Sequence, residues 1–198
     1  MLTTTFDPVN KLFREEDLIQ LANRFMRNSQ KMLKRNGRIV PTLYSVSTDP
    51  ENDGGSLIGK TDLRDFMSDV DTKNLLNAMG PEILSRMHAY AYAITSEGWF
   101  MASNPIDNFE SDEEKKEAVE KIQKERNKYK SMEDMPGRKE CIFMYYETYS
   151  KSKVFIVEIV RRPKGSPKFK QLDVSKIPEP IKLIESRWQG WLQERRVW

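Results

Sequence analysis

Two apolar runs, set close together between Glu140 and Arg162, leave this chain few folds to choose from. The first reads Cys141-Ile142-Phe143-Met144-Tyr145-Tyr146, and the second Val154-Phe155-Ile156-Val157-Glu158-Ile159-Val160, with a short polar break at Ser150-Lys151-Ser152. β-Branched and aromatic runs joined by so few residues form a β-hairpin. Both strands are apolar on both faces, which places the hairpin inside a sheet with cover on each side.

The rest of the chain supplies that cover. Leu18, Leu21, Ala22, Phe25, Met26, Met32 and Leu33 recur at spacings of three and four and predict a long amphipathic helix. Acids at 15–17 and bases at Lys31, Lys34 and Arg35 complement its dipole, and Gly37 stops it. Asp7-Pro8 reads as a helix start. Residues 38–48 read as a strand, with Pro41 indicating an edge or a strand beginning. Two helical pieces follow, around Leu63–Val70 and Leu75–Met87, with Gly80-Pro81 as a break or restart. Residues 89–102 read as a second long strand, in which Gly98 marks a bulge or a close approach.

Residues 111–130 predict a charge-dense helix opened by a Ser111/Glu114 capping box, within a charged excursion over 106–136. A short strand over 168–174 and a last helix bearing Ile181, Ile184, Trp188, Trp191 and Trp198 complete the chain. The sum is an α+β domain spanning 1–198, with a mostly antiparallel sheet of four to five strands flanked by an N-terminal and a C-terminal helix.

Charge sets the function classes. Charged residues make up 32% of the chain, yet the formal net charge is only +3, far from the field of a dedicated nucleic-acid binder. The single cysteine, Cys141, lies in an apolar run and reads as a buried hydrophobe; no internal disulfide is available, which suits a reducing, cytoplasmic setting. No run approaches the ~20 apolar residues that span a bilayer, so no membrane partner is expected.

Four groups of residues carry possible chemistry. Gly54-Gly55-Ser56-Leu57-Ile58-Gly59-Lys60-Thr61 satisfies the phosphate-loop string, with Gly54, Gly59, Lys60 and Thr61 at its defining positions. Its context is poor: the acids Asp49, Glu51 and Asp53 precede it, and Asp53-Gly54-Gly55 also fits a hairpin turn. Glu147 and Glu158 interrupt the hairpin's apolar runs, as Glu97 interrupts the strand before it. A two-residue turn at Lys151-Ser152 would set Tyr145 opposite Glu158 and Ile156 opposite Glu147, placing two carboxylates side by side for acid–base work or a divalent cation. A turn one residue longer would put them on opposite faces.

The basic run Arg161, Arg162, Lys164, Lys168 and Lys170, with Phe169 among them, offers phosphate contacts and one stacking aromatic. Lysines and prolines also guard sheet edges. Three of the four tryptophans, Trp188, Trp191 and Trp198, fall in the last eleven residues, where they serve as core or as anchors for a partner. His88 is the lone histidine and fits a helix end; no metal-ligand spacing and no cofactor motif accompanies it.

The sequence therefore leads to a non-catalytic interaction or assembly protein, with a protein partner or self-association through its C-terminal helix. Its mixed surface charge suits a larger complex, a virus-encoded one included. The rivals are an enzyme or binding protein for a nucleotide or phosphorylated ligand acting through residues 54–61, and a weak nucleic-acid-binding protein acting through residues 161–170.

Overall fold

The computed structural model describes residues 3–67, 69–101, 136–172 and 190–192, with scattered positions between 111 and 129. Strand β1 (Thr4–Val9) leads to helix α1 (Glu15–Asn36), and β2 (Thr42–Thr48) and β3 (Ser56–Asp62) follow. A 3₁₀ turn at Arg64–Phe66 then precedes α2 (Val70–Arg86). The long strand β4 (Ala89–Met101), the hairpin strands β5 (Arg138–Thr148) and β6 (Ser152–Val160), and the short β7 (Lys168–Gln171) complete the described chain. All seven strands form one antiparallel sheet in the order β1-β3-β2-β4-β5-β6-β7.

The α+β class and the antiparallel sheet agree with the sequence, but the sheet has seven strands where four to five were expected. The two unforeseen strands are β1 and β3. Asp7-Pro8 starts no helix: it lies in β1, where Thr4 hydrogen-bonds Thr61 at 2.7 Å and Asp7 pairs with Lys60 at 2.6 Å. A proline is tolerated there because β1 is an edge strand. Because β3 pairs with one side of β2, β2 is interior, and Pro41 stands just before it. Gly59 permits a close approach between strands, since a Cβ there would lie 2.3 Å from Ser45 Oγ.

The two faces are covered by different elements. On one, α1 buries Leu18, Leu21, Ala22, Phe25, Met26 and Leu33, the stripe read from the sequence, and the Phe25 ring stacks on Tyr44 at 4.0 Å and 8°. Gly37 ends α1 in the left-handed conformation, φ 72°, and donates its N–H to the Leu33 carbonyl at 2.9 Å. On the other face, α2 buries Leu76, Gly80 and Leu84 against Leu43, Tyr92, Ile94 and Tyr145. Pro81 does not break α2, which runs through it to Arg86. Among the described residues the second cover is α2, together with Trp191 and Leu192; the helix expected at the C-terminus lies mostly outside the described residues. Residues 190–192 form a turn, and Gly190 has φ 83°, a value no helix uses.

The hairpin is interior, as its apolar runs require. Its turn is Tyr149-Ser150, with Thr148 N–H donating to the Lys151 carbonyl at 2.8 Å. At the described positions 113, 114, 117, 120, 121 and 124 the charged segment is helical, and the Glu114 N–H donates to Ser111 Oγ at 3.2 Å. The remainder of 106–136 falls mostly outside the described residues. No described helix is long and apolar enough to cross a membrane.

On the α1 face, Glu97 accepts the Ile39 N–H at 2.6 Å. Burial, and then the charge of Glu140, hold its carboxyl above the ordinary range against the opposing pull of the Ile39 N–H and Arg161. The folded state thus favours the protonated form, so stability falls as pH rises from the ordinary glutamate value through the raised one. Glu97→Gln keeps an acceptor for Ile39 and removes the ionisation. Urea titrations at several pH values should find the variant's stability flatter across that window and higher at its upper end; an unchanged slope would remove Glu97 as the cause.

Candidate functional site

The most elaborate polar arrangement lies on the α2 face around Glu147. Its side chain is fully buried in the middle of the sheet, one residue before the hairpin end. Four donors converge on it. Oε2 accepts from Tyr92 OH at 2.9 Å, from Tyr145 OH at 2.5 Å and from the Gly190 N–H at 2.8 Å. Oε1 accepts the Leu192 N–H at 3.1 Å. The strands explain the convergence. Tyr92 pairs directly with Glu147 across β4 and β5, and Tyr145 lies two residues along β5, so all three side chains share one face.

Between the two bound amides, Trp191 enters a fitted slot. Its ring stacks on Tyr92 at 5.3 Å and 14°, and its Nε1–H donates to Asn77 Oδ1 at 2.9 Å. The floor of the slot is Gly80, where a Cβ would lie 2.2 Å from the indole. Burial first, and the neighbouring carboxylate second, push the Tyr92 phenol far above its usual range. Burial and the hydrogen bond to Glu147 do the same for Tyr145. Both phenols therefore stay protonated, as donors to Glu147, at every physiological pH. Chemically, the arrangement holds a segment of the same chain through two main-chain N–H groups and one indole. We call it the Glu147 seat.

Glu147 and Glu158 do not form a pair. Glu147 faces Ser152 and Glu158 faces Cys141, so the two acids share a face but stand six residues apart along β5, about 20 Å. The two-residue turn sits at Tyr149-Ser150 and not at Lys151-Ser152, and that shift separates them. Glu158 instead pairs with Lys139 at 3.1 Å.

Residues 54–61 form no phosphate loop. Gly54, φ 81°, makes the hairpin turn, and Ser56–Asp62 is the strand β3, flanked by β1 and β2. Its amides belong to a ladder rather than a cradle, Lys60 is paired with Asp7 and Thr61 is buried.

In the basic run, Arg161 forks onto both oxygens of Glu140, and Phe169 packs at the edge of the α1 core with Lys34 5.4 Å above its ring. Phe169 is thus not presented to a base, while Arg162, Lys164, Lys168 and Lys170 are exposed. Trp191 is core, 2% exposed, and not a free anchor; Trp188 and Trp198 lie outside the described residues. His88 follows α2 with φ 49° and donates its N–H to the Ser85 carbonyl. Among the described residues, no three of His, Cys, Asp and Glu converge as metal ligands.

Tyr92, Asn77, Gly80, Gly190 and Leu192 were not singled out from the sequence. The available signals were Gly80 in a helical pattern and Gly190 beside Trp191, both of which mark close or left-handed backbone. No family model, no curated protein and no solved structure matches the chain.

The slot makes a sharp prediction at Gly80. In an ordinary helix, Gly→Ala stabilises by about 1 kcal/mol. Here the methyl would displace a buried indole, a loss on the scale of the ~3–5 kcal/mol of a Trp→Ala truncation. Gly80→Ala should therefore destabilise the protein and shift tryptophan emission to the red; a stabilised variant with unchanged emission would contradict the slot.

Proposed function

We propose that this is a non-catalytic assembly protein that associates with a second copy of itself through the outward side of α2. The supporting observation is a stripe along that helix. Leu75 and Met79 are 51% and 36% exposed at its centre, with Asp71 towards the N-terminal end and Glu82 and Arg86 towards the C-terminal end. These residues, at 71, 75, 79, 82 and 86, keep helical spacing on one side. Large exposed side chains in such a row mark a contact surface.

The ends of the stripe suggest the occupant. Two α2 helices packed antiparallel bring Asp71 of each near Arg86 of the other, and their dipoles oppose. A contact of one helix face is small, so the association is weak and concentration-dependent. The phosphate-loop and nucleic-acid readings gain no support from the ion pairs and packing of Lys60, Arg161 and Phe169.

Sedimentation velocity over a wide concentration range tests this reading. The wild type should gain mass with concentration, Asp71→Arg should remain monomeric, and Asp71→Arg with Arg86→Asp should recover association. A monomeric wild type, or a double variant as weak as the single, would refute α2 pairing; a foreign protein retained on the same stripe would replace the second copy as its partner.

A further inference from the structure

Charge along this chain is segregated. Residues 18–48 contain six basic residues, Arg24, Arg27, Lys31, Lys34, Arg35 and Arg38, and no acid, although the whole chain carries a net charge of only +3. All six are exposed. Those on α1 recur at spacings of three and four, which sets them in one stripe on the side turned away from the sheet, opposite the buried Ala22, Ser29 and Leu33. Among the described residues none of the six stands in an ion pair, whereas Lys11, Lys60, Lys151 and Arg161 each do.

The ordinary uses of surface charge do not account for this stripe. Cations favour a helix C-terminus only within its last turn, which covers Lys34 and Arg35 and leaves Arg24, Arg27 and Lys31. Like charges three or four residues apart repel and weaken a helix. Arg24 with Arg27, Arg27 with Lys31, and Lys31 with Arg35 are all such pairs. The helix is therefore less stable for its row of cations, and a polyanion laid along it would relieve the repulsion.

The surroundings select the polyanion. A basic helix that lies on lipid carries apolar side chains beside its cations to enter the interface. Those of α1 are turned to the sheet, and the stripe has Gln20 and Asn23 as exposed neighbours. Single-stranded nucleic acid is held by stacking on aromatic rings, but Phe25 is stacked on Tyr44, and Phe169 packs against the α1 core beneath Lys34. A straight helix whose outer side bears Arg, Lys, Asn and Gln fits the major groove of B-form DNA, about 12 Å wide. The A-form major groove is too narrow to admit it. From Arg24 to Arg35 the stripe runs about 16 Å. We infer that the outer side of α1 binds the phosphate backbone of duplex DNA along the major groove. The inference goes beyond the assembly reading and is independent of it, since α1 and α2 cover opposite faces of the sheet.

Anisotropy of a short, fluorescently labelled DNA duplex titrated with the full chain tests it. Binding should be saturable, and neutralising about five phosphates should make it weaken about 500-fold between ~50 and ~200 mM monovalent salt. Arg27→Glu sets a carboxylate four residues before Lys31 and three after Arg24. It should lower affinity at least tenfold and flatten the salt dependence, while raising the melting temperature because attraction replaces repulsion. Those opposite signs separate a lost contact from a damaged fold. Lys73→Gln, on α2 and the opposite face, should bind DNA as the wild type does. Unchanged affinity in Arg27→Glu, an equal loss in Lys73→Gln, or no binding at ~50 mM salt would overturn the inference. Tighter binding to duplex RNA or to phosphatidylserine vesicles than to DNA would overturn it as well.

Discussion

The buried carboxylate of Glu147 is the constraint around which the α2 face is built. Such a group carries a heavy desolvation cost unless its lone pairs are satisfied. Among the described residues its hydrogen-bond partners are two phenols and two backbone amides, with no cation. The phenols come from strands already fixed by the sheet, and the amides come from a distant part of the chain. That difference gives the carboxylate its organising role. Without residues 190–192, half of its donors are missing and a buried acceptor is left under-satisfied, at a cost of about 1–3 kcal/mol or more for a charged group. The sheet therefore favours the bound segment, and the bound segment places Trp191, which in turn fixes how closely α2 approaches.

The two faces solve the covering problem differently. On one side, α1 is a regular amphipathic helix whose buried stripe and capped ends agree, so local and tertiary preferences point the same way. On the other, α2 contains both Gly80 and Pro81, each unfavourable in a helix interior. Its glycine is explained by the indole packed against it. Large apolar side chains, Leu75 and Met79, remain exposed on its outer side. The proposed assembly through that helix rests on this imbalance and not on the sheet.

How much of this the residues disclose in advance depends on the range of the interaction. The α1 stripe, the Gly37 stop and the interior hairpin are local patterns, and they were legible. β1 and β3 were not: Thr4–Val9 carries a local capping signal in Asp7-Pro8, and Ser56–Asp62 coincides with a phosphate-loop string. Both segments become strands through pairing with partners up to 57 residues away, as in the Thr4–Thr61 bond. Glu147 was visible as an anomaly in an apolar strand, but its meaning depended on register. Moving the turn to Tyr149-Ser150 removed the expected carboxylate pair and left Glu147 facing Tyr92 and the segment at 190–192. Long-range donors of that kind have no periodic signature in a single sequence.

Native-state hydrogen exchange at the Gly190 and Leu192 amides addresses the central claim most directly. If both donate to a fully buried carboxylate in the core, they should be protected to the same opening free energy as the interior amides of β5, and Glu147→Ala should bring them close to free-chain rates. Exchange of both amides in the wild type at the rate of an exposed chain end would contradict the account.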